Sequence, residues 1–331
     1  MTLISGRNGQ GKSSIIEALG FTLTGRSFRS APKDAIIRKN EPGAVVRCEI
    51  IANERELLVE HAINRARPDT LLLNRNEIQR REMTRIAPVT IFTTRDLEII
   101  SGSPESRRTF IDNALIYMGP RAANCVDNYE KLLRHRASLL RKIAFNNSSE
   151  DLDTLSVFDQ ALANEGEVLV SMRRTLLTKL FPIVNTLYAG IAGNNESITI
   201  EYATKTSTDL YSELLRARFD DLKRGVTSVG PHRDDVIFSL NGLNARHESS
   251  QGEQRSLAFS LIMGLHELIR DRLGDDPIVL LDDIFSELDQ ERVDKVLQVA
   301  EKAQVIVTTS ADYSRNTKVG QRLRIESGQL V

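Results

Sequence analysis

Residues Gly6-Arg7-Asn8-Gly9-Gln10-Gly11-Lys12-Ser13 spell G-x-x-x-x-G-K-S/T, and no other stretch of the chain restricts its fold as strongly. Glycines let a backbone curl until successive N–H groups converge on an anion. Lys12 can reach the β- and γ-phosphates of a nucleotide as a point charge, and the Ser13 hydroxyl can bind Mg²⁺. Such a loop requires a buried strand before it and a helix after it. Thr2-Leu3-Ile4-Ser5 is short and apolar enough for the strand, and Ser14-Ile15-Ile16-Glu17-Ala18-Leu19 has helical spacing. The N-terminus of that helix adds unpaired N–H groups and its dipole to the same anion site. Gly6 through Ser14 are therefore the expected phosphate-binding residues, with Lys12 also acting in catalysis.

The rest of the composition narrows the class. At 331 residues the chain can hold two domains, or one large α/β unit with an insertion. Its 40% apolar and 27% charged content is that of a soluble globular protein. No run reads as the roughly 18 apolar residues of a membrane span, so no membrane partner is expected. A phosphate loop at position 6 is incompatible with a signal peptide there. Cys48 and Cys125 form no C-x-x-C pair, which argues against zinc or a disulfide framework and for a cytoplasmic location. The formal net charge of −1 excludes a wholly basic coat and leaves only local basic patches for nucleic acid.

After the first helix the pattern is strand-rich. Ala44 to Ile51 and Glu56 to Ile63 read as a hairpin, as do Leu71-Leu72-Leu73 and Glu77-Ile78 around Asn74-Arg75-Asn76. Pro88 to Phe92 is a further strand. From Glu105 to about Lys223 the spacing is helical. Leu152, Leu155, Phe158, Leu162, Leu169, Met172, Leu176, Leu180 and Leu187 form a stripe, with Pro182 as a kink. That stripe is either a core-facing helix face or one arm of a short antiparallel coiled-coil hairpin. Strands return at Val226 to Ser228 and Val236 to Leu240. The expected division is 1–105 and 225–331 for the two parts of an ATPase lobe, and 106–224 for an inserted helical lobe.

Ile278-Val279-Leu280-Leu281-Asp282-Asp283 is an apolar strand ending in two acids, the expected partner of a phosphate loop. Asp282 is placed to hold Mg²⁺, and Asp283 to orient or deprotonate an attacking water. Ser250-Gln251-Gly252-Glu253-Gln254 opens a long amphipathic helix, with Ser250 and Glu253 at capping-box spacing. Its hydroxyl and helix N-terminus make a second anion site. It has the S-x-G-x-Q form of the signature motif of ABC-type ATPases, which contacts the nucleotide of the opposite subunit. Ser286 and Asp289 stand where that class has its D-loop.

With these motifs in order, the chain resembles the RecF recombination-mediator family of bacteria. The resemblance rests on the phosphate loop with Glu17-Ala18, on Thr24-Gly25-Arg26-Ser27-Phe28-Arg29, and on Asp96-Leu97 with Gly102-Ser103-Pro104. It continues through Arg107-Arg108-Thr109-Phe110-Ile111-Asp112, Gly230-Pro231-His232-Arg233-Asp234-Asp235, the signature segment through Ser256, and Leu281 to Asp289. Gly230 to Asp235 is the most diagnostic run, since ordinary ABC ATPases lack it. By itself it reads as a polar turn before a strand, which leaves His232 either structural or catalytic, the structural role being favoured. The resemblance implies an SMC-like head: an α/β ABC-type ATPase lobe with an inserted helical lobe, dimerising when ATP and Mg²⁺ are bound. It also implies ATP-dependent DNA binding at gaps or junctions, cooperation with RecO and RecR in loading recombinase, and roles in repair, replication and the SOS response.

Departures from the pattern shape the expected chemistry. The family ordinarily carries a longer segment ahead of the phosphate loop, including the first strands. Asp283 stands where transporter-type ABC ATPases have Glu, and Thr309 where they have a switch His. Slow, timer-like hydrolysis is expected. The Q-loop role falls near Thr93 to Asp96 without an assigned residue.

For DNA, the segment Arg121 to Phe145 carries six positive and two negative side chains. Arg134, Arg136, Arg141 and Lys142 are its expected phosphate contacts, with Arg75 to Arg85, Arg107-Arg108 and Arg173-Arg174 as further candidates. Aromatics are only 5% and Trp is absent, so base stacking is not expected to dominate. The competing classes are the ATP-binding subunit of another ABC-type system, such as a transporter, and a P-loop GTPase or small-molecule kinase. Asn316-Thr317-Lys318-Val319 does not match the N-K-x-D of guanine recognition.

Overall fold

The computed structural model describes residues 1–29, 32–52, 54–146, 149–192, 196–205, 209–284, 290–300, 303–310 and 319–331. In chain order the elements are β1 (Thr2–Ser5), α1 (Lys12–Thr24), α2 (Lys33–Ile36), β2 (Gly43–Ala52), β3 (Arg55–Asn64), β4 (Thr70–Leu73), β5 (Asn76–Glu77), α3 (Arg80–Ile86) and β6 (Val89–Phe92). Then come α4 (Glu98–Ser101), α5 (Pro104–Tyr117), α6 (Pro120–Asn146), α7 (Ser149–Ala192), β7 (Ile198–Ala203), α8 (Leu210–Arg224), β8 (Asp235–Leu240), β9 (Leu243–Asn244) and α9 (Ala245–Glu248). The chain closes with α10 (Gln251–Leu273), β10 (Ile278–Leu281), α11 (Gln290–Val299), β11 (Val305–Thr309), β12 (Gln321–Glu326) and β13 (Gln329–Leu330).

Two compact units emerge. The first comprises Met1–Leu97, Thr186–Asn195 and Ser250–Val331, and the second Glu98–Asn185 and Glu196–Ser249. The expected boundary at 224/225 falls inside the second unit. The reason is a pairing that local patterning does not show: β7 and β8 form an antiparallel ladder from Ile198↔Leu240 to Ala203↔Asp235. β7 itself lies in a stretch read as helical. Val226 to Ser228, read as strand, is irregular instead.

In the first unit the central sheet runs β13-β12-β1-β11-β10-β6, with every pair from β12 to β6 parallel. Buried parallel strands need apolar side chains on both faces, which Val279, Leu280 and Leu281 of β10 supply at 0% exposure. A second sheet, β2-β3-β4-β5, contains both expected hairpins. Asn74 and Arg75 take positive φ (47° and 68°) in the two-residue turn between β4 and β5. Ile16 and Leu23 of α1 pack with Ile50, Val59, Leu71, Met83, Val89 and Leu280 into one core, each side chain contributing roughly 1.5–3 kcal/mol by burial. This core anchors the helix that carries the phosphate loop.

In the second unit α6 and α7 run antiparallel, since Asn128 reaches Glu165, Arg136 reaches Asp159 and Lys142 reaches Asp151. The buried stripe of α7 differs from the expected one. It runs through Leu155, Asp159, Leu162, Leu169, Arg173, Leu176 and Leu180, while Leu152 is exposed. Two charged residues occupy core positions because each is ion-paired inside the unit. α7 is also long and apolar enough, by length and composition alone, to cross a membrane. Its ion-paired inner face is that of a core helix.

Candidate functional site

Ser5, the last residue of β1, lies opposite Thr309 of β11, and Leu281, the last of β10, lies opposite Val307. Both strands release the chain at the carboxyl edge of the sheet, on either side of β11, where open α/β sheets bind their ligands. From β1 the backbone turns through Gly9 (φ 80°) and Gly11 (φ 99°), conformations that favour glycine. Gly11 is the N-cap of α1 and offers no side-chain cap, so an anion is the fitting partner for the first N–H groups of that helix. Lys12 is buried, and its ammonium donates to the carbonyls of Gly6 (2.7 Å) and Arg7 (2.9 Å), which hold it along the loop. Arg7, Asn8, Gly9 and Ser14 are exposed, and Ser13 is half-buried. Gln10 is tied to the turn between β12 and β13. Its Oε1 accepts from the Ser327 N–H and its carbonyl from the Gly328 N–H.

The two acids after β10 share one buried hydroxyl. Thr308 Oγ1 donates to Asp282 Oδ1 (2.7 Å) and accepts from the Asp283 N–H (2.9 Å). The Asp282 N–H donates to the Phe92 carbonyl (2.9 Å). Asp283 sits at φ 56°, an unusual region for a non-glycine residue. Arg29 lies 3.6 Å from Glu17 and 3.5 Å from Asp282, and the Ser27 hydroxyl donates to Glu17 (2.5 Å). A helix α1 acid and the strand-end acid thus stand within reach of one guanidinium. The roles of Thr308 and Arg29 went unread in the sequence. The available signals were the polar Thr308-Thr309 end of an apolar strand and the short Ser27-Phe28-Arg29 run.

Among the described residues no group of three His, Cys, Asp or Glu could hold a metal alone. Mg²⁺ suits such a place, because it binds through one or two protein oxygens plus phosphates and water. Asp282 and Ser13 would hold it.

Ser250 caps α10 as expected: its Oγ accepts from the Glu253 N–H (3.3 Å) and the Glu253 carboxylate accepts from the Ser250 N–H (2.7 Å). Gln251 is exposed and Gln254 buried. Gly252 faces Arg292 of α11, whose Nη1 would lie 2.6 Å from any Cβ there. Ser286 and Asp289 lie outside the described residues. In the turn near the expected Q-loop, Asp96 accepts from the Thr93 N–H (2.6 Å) and hydroxyl (3.0 Å).

The basic residues of the second unit divide sharply. Arg136 is fully buried, donating to Asp159 and Asp221 (2.7 Å each) and to the Thr227 hydroxyl (2.9 Å). It is therefore removed from the DNA-contact set, since a guanidinium sealed between two carboxylates meets no phosphate. Arg107 and Arg173 are removed for the same reason, each chelating a carboxylate, Asp235 and Asp112 respectively. Arg134, Arg141 and Lys142 are exposed, with Arg134 beside Glu130 (3.6 Å) and Lys142 paired to Asp151. The misplacement of Arg136 was detectable: Tyr129, Arg136, Leu140 and Ile143 lie at helical intervals on one buried face.

Gly230 to Asp235 lies in this unit and ties several elements together. His232 Nε2 lies 3.0 Å from the Thr227 carbonyl, which can only accept, so Nε2 carries the proton. Nδ1 then accepts from the Tyr129 hydroxyl (2.8 Å). Burial pushes the His232 pKa down to about 4, so the ring is neutral near pH 7. Asp234 accepts from the Tyr202 hydroxyl (2.7 Å), and Arg173 also donates to the Pro231 carbonyl (2.7 Å). Both ring nitrogens of His232 are therefore engaged within this unit.

Known proteins resemble the whole chain. The RecF/RecN/SMC N terminal domain family matches residues 1–325. The DNA replication and repair protein RecF of Leifsonia xyli subsp. xyli is 35% identical, over 99% of this chain and 92% of that protein. That of Frankia alni is 34% identical, over 100% and 93%. A solved structure of the recombination mediator protein RecF with ATP, in the RecFOR pathway, superposes with a TM-score of 0.90 at 29% identity, covering 100% of this chain and 90% of that one. The Smc head domain of Pyrococcus furiosus has the same fold, with a TM-score of 0.56 at 18% identity over 100% and 89%. These matches exclude the transporter and GTPase alternatives, and the chain belongs to the RecF family of DNA replication and repair proteins, with an ABC-type, SMC-head-like ATPase fold.

Proposed function

We propose that this chain binds Mg²⁺-ATP at Gly6 to Ser14 and acts as an ATP-switched DNA-binding protein of recombinational repair and replication in the cytoplasm. The observation that carries the proposal is the pair of acids, Asp282 and Asp283, set by Thr308 at the sheet edge from which the phosphate loop also departs. Mg²⁺, when bound, would supply charge neutralisation and polarisation at the phosphates. The chain's own residues do the rest. The Gly9 to Ser13 backbone and Lys12 bind the phosphates, Asp282 and Ser13 hold the metal, and Asp283 orients water. Asp283 is one methylene shorter than the usual Glu and Thr309 carries no imidazole, so hydrolysis is slow and serves as a timer.

The capped signature segment, Ser250 to Gln254, belongs to the same unit as the phosphate loop. In the proposed assembly it faces the nucleotide of a second copy, so ATP makes a homodimer. DNA, at gaps or junctions between single and double strands, binds through exposed arginines and lysines, including Arg134, Arg141 and Lys142. RecO and RecR are the proposed partners in recombinase loading, with SOS induction as a consequence. The similarity to a solved structure of RecF with ATP in the RecFOR pathway supports this reading.

Sedimentation with Mg²⁺-ATP, with and without a gapped duplex, tests it. Wild type is expected to dimerise only with ATP, while Lys12→Met and Ser250→Arg remain monomeric. A wild-type chain that binds ATP and stays monomeric would refute action of the signature in trans.

A further inference from the structure

The hairpin β12–β13 touches the phosphate loop at both of its ends. At the entrance, the Ser5 hydroxyl donates to the Leu323 carbonyl (3.3 Å). Next to it, Gly6 passes so close that a Cβ would lie 2.5 Å from the Ile325 carbonyl oxygen. At the crown, Gln10 accepts two hydrogen bonds, one at Oε1 from the Ser327 N–H and one at its carbonyl from the Gly328 N–H (3.1 Å). Gly11 faces Gly328 Cα at the same place, 3.8 Å from an added Cβ. Ser327 (φ 50°) and Gly328 (φ 79°) are the two central residues of the turn between paired Glu326 and Gln329. A two-residue turn with both φ positive matches the right-handed twist of the strands it joins.

The consequence for the loop follows from peptide geometry. In a planar trans peptide the C=O and the next N–H point in opposite directions. Holding the Gln10 carbonyl against the Gly328 N–H therefore turns the Gly11 N–H away from the hairpin. We infer that the Ser327-Gly328 turn is a positioning element of the nucleotide site, a clamp on Gln10 that presets the backbone donors of the loop crown before phosphate arrives. The inference rests on the nucleotide-binding role proposed above for Gly6 to Ser14. It gives Gln10 a purpose distinct from direct phosphate contact through its side chain. It also makes backbone N–H groups, not the Ser327 hydroxyl, the working atoms of the turn.

The test is equilibrium titration with a fluorescent ATP analogue and its ADP counterpart at fixed Mg²⁺, alongside thermal denaturation. Gln10→Met keeps size and removes the acceptor. Gly328→Val places a β-branched residue at positive φ. Gln10→Met and Gly328→Val are expected to weaken both nucleotides by about tenfold each, the scale of one or two lost hydrogen bonds. All variants should melt cooperatively. In a double-mutant cycle, Gln10→Met in the Gly328→Val background should add less than it does in the wild-type background, because its two hydrogen bonds are made to one turn. Gln10→Met binding within about twofold of wild type, or fully additive effects, would overturn the clamp. A wild-type chain that fails to bind either nucleotide would instead overturn the proposed function.

Discussion

Arg29 in the first unit and Arg136 in the second carry the same guanidinium in opposite circumstances. Arg29 is 39% exposed at its side chain and stands 3.5–3.6 Å from two carboxylates, Glu17 and Asp282. Arg136 is 0% exposed and holds Asp159 and Asp221 at 2.7 Å. A long, half-solvated ion contact contributes little to stability and is easily exchanged for another partner. A sealed ion pair is committed to structure, because removing one member strands a buried charge. The contrast is between a charge contact left open to solvent at the sheet edge and charges sealed into holding helices together.

Substituting each arginine is the strongest way to break this comparison. Arg136→Met should destabilise the chain by about 3–5 kcal/mol in urea or thermal unfolding, whereas Arg29→Met should change stability by less than about 1 kcal/mol. Equal losses would erase the distinction.

Acid provides the next test. Burial lowers the pKa values of both His232 and His266 to about 4. A depressed folded-state value means that the unfolded chain takes up protons first. Stability is then full above about pH 6.5, falls as pH drops toward 4, and loses nothing further from these groups below that, with at most about 3 kcal/mol per histidine. Melting profiles at pH 7.5, 5.5 and 4 check the direction, and His232→Gln should flatten part of the slope.

At the phosphate loop, Gly6→Ala drives a methyl onto the Ile325 carbonyl oxygen. A loss of about 2 kcal/mol, together with weaker nucleotide binding, is expected. Ser250→Ala removes the cap of α10, with an expected loss of about 1 kcal/mol by chemical denaturation. The smallest stability effect belongs to the exposed face of α6. The triple variant Arg134→Glu, Arg141→Glu, Lys142→Glu should stay within about 0.5 kcal/mol per site. Its DNA affinity should nevertheless fall across all sequences, with a shallower dependence on salt. Unchanged DNA binding would remove this face from the proposed contact set.

Much of the site was legible because its signals are local. The phosphate loop, the acid-ended strand and the capping box of Ser250 and Glu253 each lie within a dozen residues, where turn chemistry and spacing dictate conformation. The hairpin at Asn74-Arg75 was legible for the same reason. Misreadings arose where the deciding partner is remote in sequence. Arg136 looked like a phosphate contact because Asp159 and Asp221 lie on other helices. β7 was hidden among helical residues, although Ile198, Ile200 and Tyr202 alternate with Thr199 and Glu201. Val226 to Ser228 looked like strand, yet the Thr227 carbonyl and hydroxyl serve His232 and Arg136.

The sequence by itself determined that this chain builds a phosphate loop between a buried strand and a helix, an acidic strand end, and a capped helix start at Ser250. These depend on glycine conformational freedom, charge and short-range periodicity, all properties of neighbouring residues. Tertiary structure alone decided which arginines are spent in the core and where the helical unit ends. It also decided that Gln10 answers to Ser327 and Gly328. Those outcomes depend on desolvation and on hydrogen bonds between residues far apart in the chain, whose energies exist only once the backbone has brought the partners together.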